Sequence, residues 1–183
     1  MAVLSFKTKT KLLPLNVLVT MACIVNCCFG SGKNLKEAKE LGFTTSGVNF
    51  TGGEPFLEFE KLLHILNKIE KDEAFYWAGI LSNGTLIDDK KIAELTKFKK
   101  LKEVQISIDG GTERVHDLTR GKGSFRKAIN GLEKLISAGV PTAVMFTLTQ
   151  ENAGSVADII DLADKMGIDA LTIERYTPLG NSD

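Results

Sequence analysis

Short apolar runs alternate along this chain with longer segments whose apolar residues recur every three or four positions. Residues 15–20 (Leu-Asn-Val-Leu-Val-Thr) are a β-branched run that reads as a buried strand. Residues 35–41 make a brief helix stopped by Gly42, and residues 48–51 a second strand running into Gly52-Gly53. Over residues 56–69, Phe56, Phe59, Leu62, Leu63, Leu66 and Ile69 fall at helical spacing, so these phenylalanines are core. Strand 76–81 leads into the turn Ser82-Asn83-Gly84, and helix 88–98 follows with Asp88 as its cap. Strand 103–108 runs into Asp109-Gly110-Gly111, and helix 125–136 is closed by Gly139. Strand 142–148, helix 156–166 closed by Gly167, and strand 170–176 complete the pattern.

Strands alternating with helices in this way predict a parallel sheet covered by helices. Right-handed crossovers leave an open doubly wound sheet or a barrel, and the periodicity does not choose between them. The unusual residues nevertheless gather in one place. The cysteines, Gly52-Gly53-Glu54, Ser82-Asn83-Gly84 and Ser107-Ile108-Asp109 all fall at or just past the C-terminal ends of strands, the edge where either architecture binds ligands.

Composition narrows the class. The chain has 183 residues, 43% hydrophobic and 25% charged, which fits one globular domain spanning residues 1–183, with residues 1–11 as an N-terminal extension. Lysine plus arginine and aspartate plus glutamate both count 23, so no basic footprint points to nucleic acid. Lys7, Lys9 and Lys11 before an apolar stretch imitate a signal peptide, but Pro14 and Asn16 break that stretch, and it is too short to span a bilayer. No membrane association is expected. The three cysteines, Cys23, Cys27 and Cys28, lie within six positions, which suits a metal or redox site in a reducing, cytoplasmic setting.

Each motif carries chemistry. Clustered thiolates on one loop suit iron–sulfur or zinc binding. Two glycines beside a carboxylate, as in Gly52-Gly53-Glu54-Pro55, let a ligand approach the backbone and give an ammonium group an acceptor. His64 lies on the polar edge of its helix and reads as a surface residue. His116 reads as loop structure, with Arg120 better placed for charge pairing.

Taken together and in order, these motifs resemble the radical S-adenosylmethionine (radical SAM) superfamily over nearly the whole chain. The cysteine loop, Thr51-Gly52-Gly53-Glu54-Pro55, Ser82-Asn83-Gly84-Thr85-Leu86, Ser107-Ile108-Asp109-Gly110 with His116-Asp117 and Arg120-Gly121, and Arg175 with Pro178-Leu179-Gly180 carry the likeness. The later part is most similar to the branch with molybdenum-cofactor, peptide-modifying and haem-modifying members. The resemblance implies an α/β fold, a partial (β/α)6 TIM-like barrel with outer helices. Its first crossover would be shortened, its last helix missing, and no C-terminal auxiliary-cluster domain would follow. It also implies a [4Fe–4S] cluster on Cys23, Cys27 and Cys28, with S-adenosylmethionine bound at the iron that lacks a protein ligand. Reductive cleavage would then yield a 5′-deoxyadenosyl radical that takes hydrogen from a peptide or small cofactor-precursor substrate. By motif match Gly52, Gly53 and Glu54 would meet the methionyl ammonium. Ser82, Asn83, Ser107 and Asp109 would lie near the ribose and methionyl part, and Arg120 would suit the carboxylate. A reductant such as flavodoxin or ferredoxin is implied as partner.

The chain departs from the family at one point. Cys23 and Cys27 keep the usual first interval, but Cys28 follows Cys27 directly and Gly30 stands where the third ligand falls. An alternative therefore stays open: a truncated or degenerate member that keeps the barrel without a competent cluster site. An unrelated phosphate-binding barrel has less behind it, because no lysine-bearing phosphate loop is present.

Overall fold

The computed structural model describes residues 15–20 and 46–176. Six strands, β1 (Leu15–Thr20), β2 (Ser46–Thr51), β3 (Phe75–Ser82), β4 (Leu101–Ser107), β5 (Thr142–Leu148) and β6 (Ala170–Arg175), form one sheet in sequential order. Every neighbouring pair is parallel. A doubly wound sheet reverses its strand order at a switch point, whereas this one never does. Sequential order with right-handed crossovers puts the helices on one face and leaves the other free, which is barrel winding. The sheet is open, with β1 and β6 as its edges. The expected partial (β/α)6 barrel is what the chain forms.

The helices are α1 (Phe59–Lys71), α2 (Asp89–Leu95), α3 (Glu113–Arg120), α4 (Ser124–Ser137) and α5 (Val156–Met166), with 3-10 turns at Pro55–Glu58 and Ala153–Ser155. Alternate strand residues Val48, Phe50, Ile80, Val104, Ile106, Val144 and Phe146 are buried in one core with Leu62, Leu66 and Ile69 of α1, Leu132 and Leu135 of α4, and Ile159 of α5. Their two-residue period marks the helix-covered face. The intervening positions differ in kind. Asn49, Trp77, Gly79, Glu103, Gln105, Ser107, Met145 and Thr172 fall on the opposite face, and Gln105 Nε2 reaches Thr172 Oγ1 at 3.5 Å. Trp77 lies against Gly47 and Gly79, where an added Cβ would meet its ring.

Capping decides several boundaries. Asp88 accepts from Lys91 N at 2.8 Å, the expected cap for α2. That helix ends at Leu95 rather than at residue 98, because Lys97 N and Phe98 N bond to the carbonyls of Glu94 and Leu95, tightening into i→i−3 turns. Gly139 and Gly167 take positive φ just past α4 and α5, as expected of closing glycines. Helix α3 is absent from the sequence pattern because only His116 of its eight residues is buried, so it carries no apolar stripe. Its Asp117 caps the next helix, accepting from Gly123 N, Phe125 N and Ser124 Oγ. Those bonds hold its carboxyl below the usual aspartate range. The expected helix over residues 35–41 and the shortened first crossover lie outside the described residues.

Candidate functional site

Two clusters stand on the edge formed by the C-terminal ends of the strands. At β2 and β3 the centre is Glu54, which caps the 3-10 turn at Pro55–Glu58. Its Oε1 accepts from Ser82 Oγ at 2.7 Å and Phe56 N at 3.1 Å, and its Oε2 accepts from Asn83 N at 2.8 Å. Asn83 turns its Oδ1 back on Thr85 N and Oγ1, which closes the loop after β3. Gly52 has φ +115°, a conformation that favours glycine, and a Cβ on Gly53 would meet none of the described residues within 4 Å. Among the described residues, the backbone beside Glu54 is therefore open to an approaching group.

At β4 and β5 the centre is Asp109, whose side chain is 4% exposed. Oδ2 accepts from Arg120 Nε at 2.5 Å and Oδ1 from Thr147 N at 3.0 Å. Asp109 N donates to His116 Nδ1 at 3.1 Å, which leaves that nitrogen unprotonated and the imidazole neutral. Burial, with the nearby Arg120 charge, holds the His116 pKa below the usual histidine value. His116 also stacks edge-on against Phe125. It is a buried residue of helix α3, not the loop residue the sequence suggested, because the Asp109 N–H and the Phe125 ring hold that turn against the sheet edge. Beside this cluster opens a cavity of about 790 Å3, lined by Asp109, Arg120, Thr147, Thr149, Arg175 and Tyr176 among others.

The sequence-predicted residues therefore fall into two groups along one edge. Gly52, Gly53, Glu54, Ser82 and Asn83 come together at β2–β3, and Asp109 and Arg120 at β4–β5. Ser107 pairs in register with Met145 between the clusters. Cys23, Cys27 and Cys28 lie outside the described residues. Asn152 was not singled out by sequence, yet it is 2% exposed, its Nδ2 donates to the carbonyls of Asp109 and Thr147, and its Oδ1 accepts from Thr149 N. Its signal was positional: the polar run Thr149-Gln150-Glu151-Asn152 follows β5 at the same edge. His64 is exposed, as expected of a surface residue.

Comparison with known proteins decides the family. Residues 33–163 match the radical SAM superfamily. The chain belongs to the radical SAM superfamily. These are enzymes whose cofactors are a [4Fe–4S] cluster and S-adenosylmethionine. Among curated relatives, the mycofactocin maturase MftC of Mycobacterium ulcerans (strain Agy99) is 35% identical over 136 residues, covering 73% of this chain and 35% of that protein. The sporulation killing factor maturation protein SkfB of Bacillus subtilis (strain 168) is 30% identical over 166 residues, covering 81% and 39%. Among solved structures, SuiB of Streptococcus suis bound to S-adenosylmethionine superposes with a TM-score of 0.64 at 19% identity, over 81% of this chain and 33% of SuiB. SuiB bound to its precursor peptide SuiA gives 0.63 at 18%, over 79% and 31%. The radical SAM chain described here thus spans between a third and two fifths of these curated relatives. Among the described residues no helix is long and apolar enough to cross a membrane.

Proposed function

We propose that residues 1–183 carry a radical SAM core domain that binds S-adenosylmethionine along the Glu54–Arg120 edge and acts, in the cytoplasm, on a peptide substrate. The observation that carries this reading is the clamped Glu54 carboxylate beside Gly53, whose backbone no described residue covers. Oε2 takes one donor and keeps acceptor capacity for an ammonium group. Arg120 offers its terminal nitrogens, which have no acceptor among the described residues, to a carboxylate. These residues fit the amino-acid end of S-adenosylmethionine. Cys23, Cys27 and Cys28 would hold the [4Fe–4S] cluster, and a flavodoxin or ferredoxin would supply electrons. When bound, cluster and S-adenosylmethionine together supply reductive sulfonium cleavage and hydrogen abstraction. The protein's share is to orient the methionyl group between Glu54 and Arg120, with Ser82, Asn83 and Ser107 beside it, and to exclude water. A peptide substrate is favoured over a cofactor precursor because the maturase MftC matches at 35% identity, above the 30–31% of the AdoMet-dependent haem synthases.

The test is anaerobic reconstitution followed by reduction with S-adenosylmethionine present. About four irons and four sulfides per chain, with release of methionine and 5′-deoxyadenosine, are expected. A fully loaded protein that releases neither product overturns the proposal.

A second reading rests on the adjacency of Cys27 and Cys28: a family member that keeps the scaffold and has lost the cluster. Inserting two residues between them separates the readings. If only the insertion variant assembles a cluster, the natural chain is degenerate.

A further inference from the structure

We infer that Asp109 is a positioning residue, which aims the Arg120 guanidinium into the cavity and makes no ligand contact of its own. The inference rests on the reading that Arg120 receives an anionic group of the ligand, and it gives Asp109 a different task from the ribose contact its motif implies.

Each polar group of Asp109 already has a partner. Both carboxylate oxygens are engaged, one by Arg120 Nε and one by Thr147 N. Its backbone N–H goes to His116 Nδ1 and its carbonyl accepts from Asn152 Nδ2. On the wall of that cavity the Asp109 side chain is only 4% exposed, against 29% for Arg120. With both oxygens bonded and the side chain this buried, Asp109 offers a ligand hydroxyl little surface.

Arginine, by contrast, is a long, rotamer-rich side chain whose fork recognises a carboxylate only when it is aimed. The Nε–H bond fixes one edge of the guanidinium and leaves the two terminal nitrogens, the edge suited to bidentate pairing, without an acceptor among the described residues, on a side chain that lines the cavity. The helix bearing Arg120 is registered by the same residue, since His116 stands one turn before Arg120 on α3 and takes the Asp109 N–H. Thr147 N anchors Asp109 to β5 in turn. One buried carboxylate therefore fixes the arginine, its helix and the strand end against each other. Charge works the other way: Asp109 partly neutralises Arg120 and by itself would weaken anion binding. Its contribution to binding must then be orientation.

A double-mutant cycle on the reconstituted full chain tests this, read as the S-adenosylmethionine dissociation constant. D109N and R120A should each weaken binding roughly tenfold, and the double variant no more than R120A, because Asp109 acts through Arg120. Additive losses would mean that Asp109 touches the ligand and would overturn the inference. A second arm needs no variant. In the cluster-free wild-type chain, a through-hydrogen-bond coupling between Arg120 Nε and Asp109 Cγ should persist when S-adenosylmethionine is added. Its disappearance on titration shows Asp109 released to the ligand and overturns the inference. If R120A binds as well as wild type while the coupling is present, it is the assignment of Arg120 to the ligand that fails.

Discussion

Ser82 Oγ donates to Glu54 Oε1 at 2.7 Å across 28 residues of sequence and at the same time accepts from Gly84 N at 2.9 Å. The hydroxyl therefore ties the turn after β2 to the turn after β3. It holds the Glu54 carboxylate in a fixed orientation before any ligand arrives.

Ser82→Ala should loosen Glu54, leaving Oε1 with Phe56 N alone. Ser82 is buried, and removing its hydroxyl leaves polar groups short of partners, so a loss of about 1–2 kcal/mol is expected. Urea unfolding measures that loss, and titration with S-adenosylmethionine should show binding weakened about threefold to tenfold by poorer preorganisation. An unchanged unfolding midpoint and unchanged affinity would refute the tie. Ser82→Thr, which keeps a hydroxyl, should recover most of both.

Gly131→Ala sets two effects of opposite sign against each other. In the middle of α4, alanine is favoured over glycine by about 1 kcal/mol on helix propensity alone. Here, however, the new Cβ would collide with the Gly84 carbonyl oxygen and lie 3.2 Å from Ile87 Cβ. Backbone does not give way as a flexible side chain does, and such overpacking costs about 1–3 kcal/mol. A net loss of stability is expected in chemical denaturation, and a gain would show that α4 can slide off the β3–α2 loop.

His116 sets a pH dependence. Its folded pKa lies below the ordinary value of 6.5, so the folded state prefers the neutral ring. The unfolded chain then binds more protons over the window between the two values, and stability falls as pH drops from 6.5 toward the folded pKa. Stability measured at steps down through this window should decline in wild type and be flatter in His116→Gln. Asp88 and Asp117, held below their usual value of 3.8, add losses only at more acidic pH.

Glu103 behaves in the opposite sense. It sits on the free face of β4, opposite Gly79, and burial raises its pKa above 4.5. Its folded state favours the protonated form, so the penalty is absent below 4.5 and complete above the raised value. Glu103→Gln should therefore raise the melting temperature at neutral pH and leave it unchanged in acid. Equal melting temperatures at neutral pH would show the carboxylate to be well solvated.

Much of this architecture is legible in the sequence because burial imposes periods. Strand 142–148 and helix 156–166 agree with β5 and α5 to the residue, and Asp88 caps α2 as its position suggests. Helix α3 escaped for a physical reason. Glu113, Arg114, Asp117 and Arg120 leave it no apolar stripe, and what holds it is His116 against Asp109 together with Asp117 at the start of α4. The edge that gathers the motifs was equally readable, since parallel strands deliver their C-terminal loops to one side. The wiring was not. Sequence order does not say that Ser82 donates to Glu54, that Asp109 holds Arg120, or that Asn152 joins the loop after β4 to the loop after β5. Those links join residues tens of positions apart and depend on which way each turn faces.

The sequential strand order also has a practical side. Connections after α4 and α5 return to the opposite rim of the sheet, roughly 20 Å away along a strand of about seven residues. Gly139 and Gly167 mark those turns with positive φ, and a Cβ on either would meet none of the described residues within 4 Å. A lanthanide tag or a small reporter domain grafted at Gly139 would therefore hang from the rim opposite the Glu54–Arg120 edge. It would offer a handle for distance measurements or immobilisation that leaves Glu54, Asp109 and Arg120 undisturbed.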